Sequence, residues 1–198
     1  MIALARQMLR LLRRRLVLAR YNDYTIAEFF RQNGAIVGSE CRIMIRSFGS
    51  EPFLVSIGDH CTIAPEASLV THDGAAWLFT REEPSIQKFG KISIGDNCFI
   101  GLRATIMPGV SIGSNSIVGA CSLVTRDVPP NTVVAGCPAV PICDVGTYRR
   151  RVEEAWGRQR PAGYLTDLKP GTHYTPEQIH ACKVADMAVL REHLERVL

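Results

Sequence analysis

The apolar pattern changes character along the chain. Residues 2–20 interleave Leu, Ile, Met and Val with arginine at helical spacing. From about residue 35 that spacing gives way to a repeat of six. Every sixth residue from Ile94 reads Ile94, Ile100, Ile106, Ile112, Val118 and Val124, all aliphatic and β-branched. The residues that follow them are Gly95, Gly101, Met107, Gly113, Gly119 and Thr125. The fifth of each hexad is small or medium: Cys98, Ala104, Val110, Ser116, Ser122 and Val128. The same frame recurs upstream in hexads beginning at Ile57, Ile63 and Leu69, with a weaker copy at Val37.

A period of six matches neither an α-helix nor an alternating strand. It suits a prism of short strands in which each hexad forms one flat face. The aliphatic residue then points inward, and the residue after it turns the corner, where a Cβ would crowd. Stacked coils pair each strand above and below and bury what one coil alone leaves exposed. The frame is broken twice. Residues 49–53 shift it, and residues 75–91 interrupt it with a segment carrying Trp77, Phe79 and Phe89 among Arg81, Glu82 and Glu83. An excursion of that length from a compact solenoid suggests function, and its aromatics suggest an ordered loop packed on something. Beyond the repeat, Pro161–Gly163 and Lys169–Gly171 read as turns. Thr175, Pro176 and Gln178 supply the N-cap, first position and third position of a helix over 176–198. The predicted organisation is a helical segment at 1–34, a repeat body at 35–142 and a helical extension at 143–198.

Composition adds charge to this picture. The 198 residues carry a net +4, yet residues 1–20 hold six arginines and no acid, so the remainder carries −2. The body is therefore not a nucleic-acid surface. No apolar run is long enough to span a bilayer. Seven cysteines without a CxxC pair, and no secretory leader pattern at the start, suit a reducing cytoplasm. Cys41, Cys61 and Cys98 occupy the small fifth slot, where a thiol serves as a buried apolar group. The arginine-rich head has two readings. It docks on an anionic membrane, or it packs on the body with its arginines in solvent.

The runs Ile94-Gly95-Asp96-Asn97-Cys98-Phe99-Ile100-Gly101, Ile106-Met107-Pro108-Gly109 and Val118-Gly119-Ala120, closing on Gly136-Cys137-Pro138-Ala139, resemble the hexapeptide-repeat acyltransferases. The likeness covers about residues 35–142 and is nearest to galactoside, maltose and capsular or O-antigen O-acetyltransferases. It implies a mainly β fold, a left-handed parallel β-helix with a short N-terminal helical segment and a C-terminal helix, assembled as a homotrimer with sites between subunits. It also implies acetyl-CoA as cosubstrate, no metal, and a role in polysaccharide biosynthesis. By the family's pattern His72, just before the long loop, is the general base. A neutral imidazole suits removal of a proton from an attacking hydroxyl. Coenzyme A contacts fall to Gly101, Arg103, Ala120, Thr125, Arg126, Gly136 and Pro138. The acceptor falls to Asp73, Trp77, Glu82 and Glu83.

The chain departs from the sugar-acetyltransferase pattern. Val140 and Pro141 stand where many relatives have a basic residue, and Phe99 stands where relatives often have Trp. Amino-sugar N-acetylation, serine O-acetylation and a non-catalytic β-helix scaffold stay open as alternatives. Serine acetyltransferases usually carry a larger helical N-terminal domain. A γ-type carbonic anhydrase needs three histidines around zinc, but no histidine lies between His72 and His173.

Overall fold

The computed structural model describes residues 2–165, 168–169 and 171–197. Two compact units divide at Ile142 and Cys143. In the first, two helices, Ile2–Leu18 and Ile26–Gln32, precede a stack of two- to six-residue strands arranged in three sheets. The first face stacks Ile36–Val37, Val55–Ile57, Ile92–Ile94 and Ser111–Ile112. The second stacks Arg42–Ile43, Thr62–Ile63, Phe99–Ile100, Ile117–Val118 and Thr132–Gly136, with Ala139–Asp144 added at its end. The third stacks Ser68–Leu69, Thr105–Ile106 and Leu123–Val124. Every pairing from Ile36 to Val134 for which a register is resolved is parallel. This is the expected prism, one hexad per face.

The inward column is the aliphatic one. Ile94, Ile100, Ile106, Ile112, Val118 and Val124 are all buried, as are Ile57, Ile63 and Leu69 below them. The fifth-slot residues Cys98, Ala104, Val110, Ser116, Ser122 and Val128 are buried too. Cys41, Cys61 and Cys98 sit in that core, and their thiols donate to the carbonyl oxygens of Gly58, Gly95 and Gly113 at 3.2, 3.0 and 3.2 Å. Glycine after the aliphatic residue answers to close approach. A Cβ on Gly95 would lie 2.7 Å from the backbone nitrogen of Ser114 in the next coil. Asparagines ladder one corner, with Asn97 Nδ2 donating to Asn115 Oδ1 at 2.8 Å and His60 Nδ1 meeting Asn97 Oδ1 at 2.8 Å. Ile26, Ala27 and Phe30 close the start of the core, and the Phe30 ring stacks on Phe48 at 3.6 Å.

Ile100 lies mid-stack between Ile63 and Val118 and is fully buried. Ile100→Ala leaves a cavity that the parallel ladders on either side keep open. It is expected to lower unfolding free energy by about 2–5 kcal/mol, read by denaturant titration.

Coil length varies. Val37 pairs with Ile57, Ile57 with Ile94, and Ile94 with Ile112, so successive coils advance by 20, 37 and 18 residues. The two extra residues of the first coil fall where Pro52–Leu54 makes a 3-10 turn, and the 37-residue step contains the long loop.

The second unit is helical. Val145–Gln159 forms a helix that the sequence pattern did not single out; its N-cap is Asp144, which accepts from the Thr147 N–H at 2.8 Å. The helix expected over 176–198 is divided into Pro176–Ala185 and Met187–Val197. Thr175 and Gln178 form the expected capping box, but Asp186 ends the first helix, and its carboxylate accepts the Leu165 N–H at 2.9 Å. Of the turn expected at Lys169–Gly171, Pro170 lies outside the described residues. No helix among the described residues is long and apolar enough to cross a membrane.

Candidate active site

His72 sits at the corner that follows the third face, where the chain leaves the prism. The long loop departs and returns there. The Asp73 N–H donates to the Lys88 oxygen at 2.8 Å, the Gly90 N–H donates to the Thr71 oxygen at 2.9 Å, and His72 bridges Phe89 in antiparallel sense. These bonds fix the backbone on both sides of the imidazole. The Phe89 ring meets the His72 ring edge-on at 6.3 Å.

The imidazole has a carboxylate partner. His72 Nδ1 lies 3.0 Å from Glu51 Oε2, and the buried Thr71 donates its hydroxyl to the same oxygen at 2.6 Å. The Glu51 side chain is only 15% exposed and that of His72 is 46% exposed. The hydrogen bond from Thr71, then that from His72, hold the Glu51 carboxyl below its ordinary pKa. At neutral pH Glu51 is therefore an ionised acceptor, so Nδ1 carries the proton. The lone pair of the neutral ring is then on Nε2.

Glu51 was absent from the residues picked out by sequence. It lies in the short segment that shifts the frame, far from His72 along the chain. One signal reveals it. The first coil advances by 20 residues, and 20 residues beyond Glu51 is Thr71, so coil arithmetic stacks Glu51 directly beneath the Thr71–His72 corner.

A cleft of about 450 Å³ opens on this corner, bordered by Glu51, His72, Asp73, Trp77, Lys88 and Phe89 among others. A larger hollow of about 680 Å³, along the N-terminal helix, holds none of these groups. Asp73 caps the 3-10 turn Gly74–Phe79 by accepting from the Ala75 N–H at 3.0 Å, and Lys88 Nζ lies 3.4 Å away. The Ala75 bond first, then Lys88, lowers the Asp73 pKa. The carboxylate that meets the imidazole is thus Glu51, while Asp73 shapes the start of the loop. Trp77 borders the cleft with its side chain 78% exposed, and Phe79 is also exposed, so neither is packed within the chain. Glu82 and Glu83 are exposed on the loop and do not border the cleft.

The residues predicted for coenzyme A divide between two edges of the prism. Thr125 and Arg126 follow the third face and share the His72 edge, two coils further on. Asp127 beside them accepts the Ser111 N–H at 2.8 Å, and among the described residues Arg126 has no ion-pair partner. Gly101, Arg103 and Ala120 follow strands of the second face, Gly136 ends its strand Thr132–Gly136, and Pro138 lies in the turn beyond. Gly101 packs so tightly over the next coil that a Cβ would come within 2.6 Å of the Ala120 nitrogen. Arg103 Nε donates to Glu66 Oε2 at 2.7 Å, and both side chains are largely in solvent. Such a pair contributes little to stability and is easily exchanged for another anion. One chain therefore does not bring the imidazole and the Gly101–Ala120 corner together.

Among the described residues no group of three His, Cys, Asp or Glu side chains is placed to hold a metal ion.

A parallel β-prism of hexads with an imidazole–carboxylate pair at a coil corner defines a class, the hexapeptide-repeat transferases. A sequence profile described as "Hexapeptide repeat of succinyl-transferase" matches residues 91–126. Protein CapG of Staphylococcus aureus is 44% identical over 127 residues, 63% of this chain and 74% of that protein. The galactoside O-acetyltransferase of Escherichia coli is 42% identical over 88 residues, 44% of this chain and 43% of that enzyme. Among solved structures, a hexapeptide-repeat containing acetyltransferase of Vibrio cholerae superposes with a TM-score of 0.51 at 24% identity, covering 67% of this chain and 87% of that one. It shares the fold. The chain belongs to the hexapeptide-repeat acyltransferase family.

Proposed function

We propose that the protein transfers an acetyl group from acetyl-CoA to a hydroxyl of a sugar or polysaccharide precursor, with His72 as general base. The observation that carries this reading is the Glu51–His72 pair, in which Glu51 engages Nδ1 and not Nε2, on an imidazole that borders a cleft together with Trp77. Membership of an acyltransferase family supports the reaction type. The name of the galactoside O-acetyltransferase to which the chain is similar favours a glycan acceptor.

In the transfer step, Nε2 takes the proton of the acceptor hydroxyl as its oxygen bonds to the thioester carbonyl carbon. The carbonyl oxygen becomes an oxyanion, which a backbone N–H at a coil corner can stabilise. The carbon–sulfur bond then breaks, and the imidazolium returns its proton to the departing thiolate. Glu51 carries compensating negative charge beside the imidazolium, and Phe89 limits its rotation.

We place the coenzyme along Gly101, Ala120 and Gly136, with Thr125, Pro138 and the guanidinium groups of Arg103 and Arg126 available to it. The close approach at Gly101 leaves a smooth edge for an extended arm, and guanidinium suits phosphate. Because the His72 edge and the Gly101 edge differ, a complete site needs the Gly101 edge of a second copy. A homotrimer of left-handed prisms, as the resemblance implies, supplies it. Asp73, Trp77, Glu82 and Glu83 are assigned to the acceptor side. Trp77 offers an aromatic face to a sugar ring, and the two glutamates reach it only through movement of the loop or a neighbouring copy.

The test is a panel of sugars, nucleotide-linked sugars, amino sugars and serine, each incubated with acetyl-CoA while free thiol is followed. A glycan hydroxyl acceptor is expected to give thiol release and an alkali-labile acetyl ester. An alkali-stable product from an amino sugar would replace O-acetylation by N-acetylation. Turnover with serine alone would reject the glycan, and no turnover with any acceptor would favour the scaffold.

A further inference from the structure

The helix Ile2–Leu18 has an apolar face that its own chain leaves uncovered. Leu18 packs against the core, but Met8, Leu12 and Leu16 recur at intervals of four with Leu9 beside them, and all four are exposed. Helical spacing places exposed Arg15 on one flank of this stripe and exposed Arg6 and Arg13 on the other. Residues 1–20 hold six arginines and no acid. An exposed stripe of large aliphatic side chains bordered on both sides by cations alone is the pattern of a helix lying in a membrane interface. There the apolar side chains enter the acyl boundary and the guanidinium groups meet lipid phosphate.

We infer that this helix docks the protein on an anionic phospholipid surface. Charge decides against a second copy as the occupant. Stacking the stripe on the same helix of another chain brings two all-basic flanks together around a small apolar contact, and like charges oppose it. A membrane rich in anionic headgroups complements every charged residue of the segment, each arginine strengthening attachment by about fivefold.

The full chain is sedimented with vesicles of phosphatidylcholine alone and with vesicles of phosphatidylcholine and phosphatidylglycerol in equal parts. Pelleting is expected only with the anionic vesicles and is expected to fall as salt rises. The double variant Leu12→Glu, Leu16→Glu is expected to lose at least roughly tenfold in binding. Single Arg6→Gln and Arg13→Gln changes are each expected to lose about fivefold. Circular dichroism and gel filtration are expected to show the double variant folded, with its oligomeric state unchanged. Equal pelleting with neutral vesicles, no pelleting of the native chain with anionic ones, or undiminished binding by the folded double variant would overturn the inference. A changed oligomeric state in that variant would also overturn it, marking the stripe as an interface between copies. The readout is vesicle binding, so it stands apart from the acetyl-transfer reading.

Discussion

His72→Ala is expected to lower kcat/KM for acetyl transfer by about 10²–10⁴-fold while leaving the folded, assembled protein intact. The size of the loss follows from what the ring does. The hydroxyl of a sugar is a weak nucleophile unless its proton leaves as it attacks, and Nε2 is the nitrogen that Glu51 does not engage on an imidazole bordering the cleft. The fold is expected to survive because His72 lies outside the buried column. Its ring is about half exposed, and the backbone bonds from Asp73 to Lys88 and from Gly90 to Thr71 hold the corner without it. KM for acetyl-CoA is expected to stay near the native value, since the arm of the coenzyme is assigned to the Gly101 edge and no coenzyme contact is assigned to His72. The measurement is steady-state kinetics on the variant alongside its melting temperature. Full activity would remove His72 from the reaction. A collapsed melting temperature would make it a structural residue instead.

The periodic part of the molecule could be read directly from the residues, because a hexad repeat leaves little freedom. Ile94 through Val124 must share one side, glycine must stand where coils nearly touch, and small residues must fill the fifth slot. Each of these became a buried or closely approached position. His72 is legible because the family the chain resembles carries its base near the end of the first set of coils, just before the long loop, and His72 is the fourth residue of the hexad that begins at Leu69. The non-periodic parts were harder. Glu51 lies where the frame slips, so no hexad position marks it; only the 20-residue advance of its coil links it to Thr71. Glu82 and Glu83 have a suitable chemistry for a sugar, but the loop carries them away from the cleft that Trp77 borders. The helix Val145–Gln159 carries too many arginines for an apolar stripe to announce it, and its start depends on a single Asp144 cap. The break in the last helix depends on Asp186 being drawn to the Leu165 N–H, a contact 21 residues distant in sequence. Local repetition is legible one residue at a time, whereas contacts made across an irregular coil are legible only once coil lengths are known.

Glu51→Gln carries the second large effect, and its form separates a positioning residue from a structural one. The ionised carboxylate can only accept, which keeps the proton on Nδ1 and the lone pair on Nε2. Thr71 and His72 meet one and the same carboxylate oxygen, and a glutamine of the same shape that turns its NH₂ into that position donates both to Nδ1 and to the Thr71 hydroxyl oxygen. The ring then carries its proton on Nε2, and the base faces away from the acceptor. The negative charge that favours the imidazolium is lost as well. A fall in kcat of about 10²–10³-fold is therefore expected, with KM for acetyl-CoA little changed. Stability should respond in a matching way. The Glu51 pKa is depressed in the folded protein, so the native carboxylate stabilises the fold above the ordinary carboxylate pKa. That contribution is lost as pH falls through the depressed value. The Glu51→Gln variant should lack this acid-dependent loss, visible as a shallower fall of melting temperature with pH. Glu51→Asp, which keeps the charge on a shorter arm, is expected to recover part of kcat. Loss of kcat in Glu51→Gln together with a collapsed melting temperature at neutral pH and no recovery in Glu51→Asp would mean that Glu51 only holds the corner together.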